Sequence, residues 1–233
     1  MLRDLRLRTF FRDYIETLLA ALAIAILIRV FILTAYKIPT SSMLPTLTVG
    51  DFVFAYRLPY GIQPPFASGK IWVTGKPQRG EVVVFRYPGD DNLNFIKRVV
   101  GVEGDKVEIR AWRLYVNDQP AVYDKAELER LRTPGVELYS VMKERLGESD
   151  HLVMFRKGGE GRDFGPEVVP PGSIFVLGDN RDSSDDSRHW GMIPADRVDG
   201  RVVAIWLSLD WENRWGGGSF PVIRWERVLA SVR

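Results

Sequence analysis

Three short stretches hold the residues whose types and spacing allow chemistry. The first is Ile38-Pro39-Thr40-Ser41-Ser42-Met43-Leu44-Pro45-Thr46-Leu47. Pro39 and Pro45 each fix a backbone φ and bias the preceding residue towards extended geometry, so the hydroxyls between them sit on a stiff mount. Met43, Leu44 and Leu47 supply apolar packing that a flexible serine-rich linker lacks. On this segment alone ordinary turn chemistry is the better account of the same residues. The second stretch is Arg79-Gly80-Glu81-Val82-Val83-Val84-Phe85 followed by Phe95-Ile96-Lys97-Arg98-Val99-Val100-Gly101. Strand alternation places Phe95, Lys97 and Val99 on one face and Ile96, Arg98 and Val100 on the other. A lysine in such an apolar strand is either buried, where its pKa falls towards that of an amine general base, or a surface lysine with its stem along the sheet. The third stretch, residues 178–191, reads GDNRDSSDDSRHWG. Its acids invite a calcium loop, yet counting from Asp182 puts Ser187 where such loops need glycine and Ile193 where they need glutamate. A turn that pairs Asp186 with Arg188 and presents the Ser184 hydroxyl fits better.

The chain has two histidines and no cysteine. His189 stands between Arg188 and Trp190, where a structural hydrogen bond is the simpler role, and His151 lies in a presumed insertion. With so few ligands of the usual kind a zinc hydrolase is disfavoured, and thiol chemistry is excluded. A serine nucleophile in this chain needs a base other than histidine, and Lys97 is the candidate. No metal or cofactor is implied.

The elements that must position these residues are an apolar run and a series of short strands. Residues 17–36 form 20 residues with one charge, Arg29. As a helix they extend about 30 Å, the thickness of a bilayer core, and the reading is a transmembrane helix over 17–36. Arg3, Arg6, Arg8 and Arg12 precede the run and Lys37 alone follows it closely, which predicts a cytoplasmic segment 1–16 and an extracytoplasmic domain 37–233. A cleavable signal peptide is the alternative, but the small-residue patterns lie inside the apolar run, which resumes after Arg29. Residues 52–56, 81–87, 94–102, 173–177 and 201–209 are β-branched and aromatic runs bounded by turn formers, and 106–110 with 113–116 reads as a hairpin. Between 58 and 80 a Pro/Gly-rich segment carries Tyr60, Phe66, Ile71 and Trp72, either at a membrane interface or in a partly buried loop. Residues 117–170 read as a variable insertion with helical signals at 125–132 and 136–146.

The 233 residues are 45% hydrophobic and 27% charged with a formal net charge of +2, which is globular and gives nucleic-acid binding little support. Absence of cysteine suits an oxidising compartment.

Taken together, IPTSSMLPTLTVGDF, then RGEVVVFRYP with FIKRVVGVEGDKV, then GDNRDSSDDSRHWG resemble, in order and spacing, the signature boxes of bacterial type I signal peptidases, over most of residues 16–209. The resemblance implies a mostly β, antiparallel, partly barrel-like catalytic domain behind one N-terminal transmembrane helix, in the bacterial inner membrane. It implies a serine endopeptidase that acts on signal peptides of exported preproteins at Ala-x-Ala-like sites, with the lipid bilayer as a second partner. Ser42 matches the family's nucleophile and Lys97 its general base. Thr40 stands where a serine commonly joins the backbone N–H of Ser42 in the oxyanion hole, and Ser41 stands where glycine is frequent. Ser184 matches the serine that orients the lysine, with Asp186 and Arg188 as a supporting ion pair. Ile38, Pro39, Met43, Leu47, Val84, Phe95 and Ile96 are the apolar positions expected to line shallow pockets, with the substrate added as a β-strand. A specialised relative such as a pilin-maturation peptidase, a self-cleaving repressor domain and a non-catalytic membrane-anchored β-domain are the competing readings.

Overall fold

A computed structural model describes residues 2–61, 70–126, 138–147, 149–159, 161–214 and 218–232. Helix α1 (Leu2–Leu27) passes through a π-helical turn (Ile28–Ile32) directly into strand β1 (Leu33–Lys37), and β2 (Asp51–Tyr56) follows after the serine-bearing turn. β3 (Val82–Tyr87) and the long β4 (Asp90–Val102) form a hairpin, succeeded by β5 (Lys106–Arg110), β6 (Arg113–Val116), β7 (Gln119–Pro120) and β8 (Val122–Lys125). A second hairpin, β9 (Tyr139–Leu146) and β10 (Ser149–Arg156), precedes β11 (Phe164–Val168) and β12 (Ser173–Leu177). A 3₁₀ turn (Arg181–Ser183) and the short helix α2 (Ser187–Trp190) lead to β13 (Ile193–Pro194), β14 (Val198–Arg214) and β15 (Pro221–Ile223).

The main sheet has the order β1-β2-β14-β3-β4-β12-β13, with β15 on the far part of β14. Every pairing in it is antiparallel, as the alternating apolar runs require. The sheet does not close into a barrel among the described residues. The path ends at β1 on one side and at the two-residue β13 on the other, and among the described residues no strand bridges them. Two register shifts in β14, at Val202/Ala204 and Ile205/Leu207, bend the sheet against β2. One apolar cluster (Ile38, Met43, Leu47, Val53, Val84, Ile205 and neighbours) lies beneath the serine turn, and a second (Val83, Phe85, Val99, Val176, Ile193 and neighbours) lies under β3, β4 and β12.

The apolar run is not one helix from 17 to 36. Helical structure ends at Ile32, and Leu33 to Lys37 pair residue by residue with Tyr56 to Phe52. Thr34 and Tyr36 are strand formers, and the ladder to β2 satisfies a backbone that the helix leaves. Among the described residues no helix is long and apolar enough to cross a membrane.

The helical expectation at 136–146 also fails where it is described, residues 136 and 137 lying outside the described residues. Tyr139–Leu146 is a strand paired along its length with β10, closed by Gly147 at φ 64°. Lys, Glu, Arg and Leu carry helix propensity, but the eight-residue ladder, invisible to local propensity, overrides it. Of the stretch 125–132, Lys125 ends strand β8 and most of the remainder lies outside the described residues. The 117–170 region is woven into the scaffold: β7 and β11 complete a four-stranded sheet with β5 and β6, and β8 to β10 form a three-stranded sheet of their own. In the 58–80 segment Tyr60 is buried with its hydroxyl on the Glu81 carboxylate, whereas Trp72 is 80% exposed; Phe66 lies outside the described residues.

Candidate active site

Ser42 sits half-buried in the turn between β1 and β2, and Lys97 lies in the middle of β4. Lys97 Nζ is hydrogen-bonded to Ser42 Oγ at 2.6 Å. The lysine is only 4% exposed, which settles its placement against a surface position. Burial lowers its pKa to about 8; Asp186, Asp185 and Asp179 oppose that shift, and Arg188 adds to it. Thr40 Oγ1 lies 3.5 Å from Ser42 Oγ, on the same exposed lip.

The serine turn is gripped from the 178–188 turn. Asn180 N–H donates to the Ser42 carbonyl at 3.1 Å, and Asn180 Nδ2 donates to the Ser41 carbonyl at 3.2 Å. Gly178 packs so closely here that a Cβ on it would stand 2.5 Å from the Ser42 carbonyl oxygen and 2.2 Å from Ser184 Oγ. Ser184 is buried, and its hydroxyl makes no hydrogen bond of standard geometry to Lys97; it lies beside the Asp186 carboxylate, whose charge it helps to stabilise. Asp186 and Arg188 form a buried fork, Nε to Oδ1 at 2.8 Å and Nη2 to Oδ2 at 2.9 Å, and Gly178 N–H donates to the same carboxylate at 3.0 Å. Burial alone raises the Asp186 pKa, but the Arg188 guanidinium and the Gly178 N–H hold it below the ordinary carboxylate range.

A second fork stands one residue from the lysine. Arg98 and Asp179 are both fully buried, with Nε to Oδ1 at 2.8 Å and Nη2 to Oδ2 at 2.7 Å. Thr46 Oγ1 donates to the same carboxylate at 2.5 Å, tying the serine turn to it. Burial works against the Asp179 charge, yet Arg98 keeps its pKa below the ordinary value. Asp179 and Asn180 are the positioning groups that residue-type reasoning passes over. Their one sequence signal is the Gly178-Asp179-Asn180 run directly after a strand.

A cleft of about 470 Å³ opens beside the Ser42–Lys97 pair. Of the expected apolar positions, Ile38, Pro39, Met43, Phe95 and Ile96 line it. Leu47 and Val84 do not: both are fully buried in the apolar cluster beneath the serine turn. Tyr36, Leu93, Asn94, Ser183 and Asp185 add to the walls. One wall is a strand edge, because β12 pairs with β4 only from Arg98 onward and residues 94–97 pair with β3 alone among the described residues. Such an edge can accept another extended chain. Neither histidine hydrogen-bonds to Ser42: His151 is buried against Glu144, and His189 Nδ1 lies 3.5 Å from the Asp185 carboxylate. The arrangement places a half-accessible hydroxyl against an amine whose pKa burial lowers to about 8, beside a groove walled in part by a strand edge.

Comparison with known proteins gives a consistent result. The profile of the family described as "Signal peptidase, peptidase S26" matches residues 11–207. A signal peptidase I from Pseudomonas aeruginosa is 40% identical over 211 residues, covering 84% of this chain and 72% of that protein. A signal peptidase I from Pseudomonas fluorescens is 37% identical over 208 residues, with the same shares of 84% and 72%. A crystal structure of a signal peptidase I from Enterococcus faecalis is 31% identical, covers 54% of this chain and 96% of its own, and has a TM-score of 0.35.

Proposed function

The chain belongs to the signal peptidase family, peptidase S26, and from that premise we propose that it is a membrane-associated serine endopeptidase that removes N-terminal signal peptides from exported preproteins. The observation that carries the catalytic part is the 2.6 Å contact between Lys97 Nζ and Ser42 Oγ inside a peptide-sized cleft.

In this reading neutral Lys97 accepts the Ser42 proton as Oγ attacks the scissile carbonyl, then passes it to the leaving amine, and water repeats the sequence on the acyl-enzyme. Burial, which brings the lysine to about 8, makes the free amine available without a histidine. The oxyanion is met by the Ser42 backbone N–H and the Thr40 hydroxyl, whose position 3.5 Å from Ser42 Oγ suits that role. Asp186 and Arg188 set the field around the lysine, and Ser184 packs against the Gly178 backbone where the two turns meet. The substrate adds as a strand along residues 93–96, and Ile38, Pro39, Met43, Phe95 and Ile96 form shallow pockets for small side chains such as alanine.

Helix α1 supplies the membrane part of the proposal. Its described side chains Leu18, Leu19, Leu22, Ile24, Ile26 and Leu27 are each more than half exposed, an apolar surface for which lipid is the natural covering. With Arg3, Arg6, Arg8 and Arg12 on the cytoplasmic side, residues 37–233 lie on the outer side of the bacterial cytoplasmic membrane.

The test is cleavage of a preprotein with an Ala-x-Ala site by detergent-solubilised wild type, Ser42→Ala and Lys97→Met, each checked for folding by circular dichroism. Cleavage by wild type alone is expected. A folded Ser42→Ala or Lys97→Met that still cleaves removes the dyad.

A further inference from the structure

Behind the 178–188 turn lies a buried ionic network that belongs neither to the cleft nor to the dyad. Glu144 on β9 is fully buried. Arg181 Nη1 and Nη2 donate to its two oxygens at 2.7 and 2.6 Å, His151 Nε2 on β10 lies 3.0 Å from Oε1, and the Tyr123 hydroxyl on β8 donates to Oε2 at 2.5 Å. Tyr123 from β8 and His151 from β10 therefore converge on Glu144 of β9, and that carboxylate alone grips an arginine that comes from elsewhere in the chain.

That arginine opens the 3₁₀ turn directly after Asn180. Its Nε donates to the Gly178 carbonyl at 3.2 Å, and its own carbonyl accepts from Arg188 Nη2. Strand β10 adds two backbone ties to the same turn: Met154 N–H donates to the Asp179 carbonyl at 2.8 Å, and Arg156 N–H to the Asp182 carboxylate at 2.7 Å. Gly178, Asn180 and Arg188, which contact the nucleophile turn or flank Lys97, are thus fastened from behind by the inserted sheet.

A buried carboxylate–guanidinium fork is geometrically demanding, and apolar residues of similar volume stabilise an interior as well or better. The fork fixes two orientations at once, those of the Arg181 side chain and of the turn it closes. We propose that Glu144 is a positioning residue: acting through Arg181, it fixes the turn bearing Gly178, Asn180 and Arg188, and so the placement of Ser42 against Lys97. The kinetic consequence rests on the serine/lysine reading above; the structural consequence rests on the geometry alone.

The test uses the full-length chain and two variants. Glu144→Gln keeps the shape and leaves the Arg181 charge without its counter-charge. Glu144→Leu combined with Arg181→Met removes both charges, so thermal stability recovers part of what Glu144→Gln loses, the Tyr123 hydroxyl and His151 Nε2 still lacking the carboxylate. Both variants are expected to lose about 10- to 100-fold in kcat with KM unchanged, the scale of a catalytic group misplaced by about 1 Å. Hydrogen exchange is expected to quicken in residues 178–190 and to stay slow in β2 and β14. A double variant with wild-type kcat and wild-type exchange at 178–190 overturns the proposal, because the pair then contributes stability alone. Should Glu144→Gln fail to fold, the double variant decides by itself. If wild type cleaves no precursor, the serine/lysine reading falls, and exchange at 178–190 still decides whether the pair holds the turn.

Discussion

Gly178→Ala is the substitution whose effect the geometry sets most directly. An added Cβ lies 2.2 Å from Ser184 Oγ, 2.5 Å from Ser184 Cβ and 2.5 Å from the Ser42 carbonyl oxygen. The Ser184 hydroxyl can rotate away, but the Ser42 carbonyl is backbone and is held by Asn180 N–H at 3.1 Å. Ordinary contact begins near 3.4 Å, so the two turns must part by about 0.9 Å. A displacement of about 1 Å at a catalytic group costs on the order of 100-fold in rate, which is about 2.7 kcal/mol of barrier. The overpacking itself costs about 1–3 kcal/mol of stability. Single-turnover cleavage of a preprotein isolates the chemical step, and substrate affinity is expected to hold because Gly178 does not line the cleft. Gly104→Ala separates clash from backbone strain. Gly104 has φ 85° and no atom within 4 Å of its added Cβ, so that variant loses about 1–2 kcal/mol of stability and keeps its kcat. A Gly178→Ala enzyme that cleaves within about twofold of wild type would refute the reasoning.

Three further outcomes follow from the charges around the pair. Cleavage rate is expected to rise with pH and reach half its plateau near pH 8, because the neutral form of Lys97 accepts the proton and burial has lowered its pKa to about 8; a profile already flat from pH 6 contradicts this. Asp185→Asn removes an exposed negative charge that favours the Lys97 ammonium, so the acid limb of that profile moves to lower pH, with the denaturation midpoint unchanged. Arg98→Met leaves the Asp179 carboxylate buried without its counter-charge, and urea denaturation is expected to show a loss of about 3–5 kcal/mol, part of it recovered by adding Asp179→Leu.

Much of the fold is legible because its strands announce themselves locally. The runs that became β3, β4, β12 and β14 are β-branched and bounded by turn formers, and burial follows that pattern. Ser42 and Lys97 are legible only through the three stretches together: taken alone, the first reads as ordinary turn chemistry and the second as a surface lysine. What escapes local reading is whatever depends on a distant partner. Tyr139–Leu146 carries helix formers, and only its register with β10 makes it a strand. Leu33–Lys37 continues an apolar helix in composition, and only the ladder to β2 takes it into the sheet. Leu47 and Val84 are apolar, as both a core and a pocket wall require, so composition cannot assign them between the two. Asn180 grips two carbonyls some 139 positions earlier in the chain, a separation that no local pattern encodes.

The passage from α1 to the serine turn contains no glycine and no proline before Pro39. Only ten positions separate Ile32, where the helix ends, from Ser42, and half of them are laced to β2. At about 3.3 Å per extended residue the hydroxyl can stand no more than about 33 Å from the helix end. On the proposed reading that makes the junction a measuring rod standing on the lipid surface. A precursor is then gauged by the span between its own embedded segment and its scissile bond, before any pocket inspects the residues there.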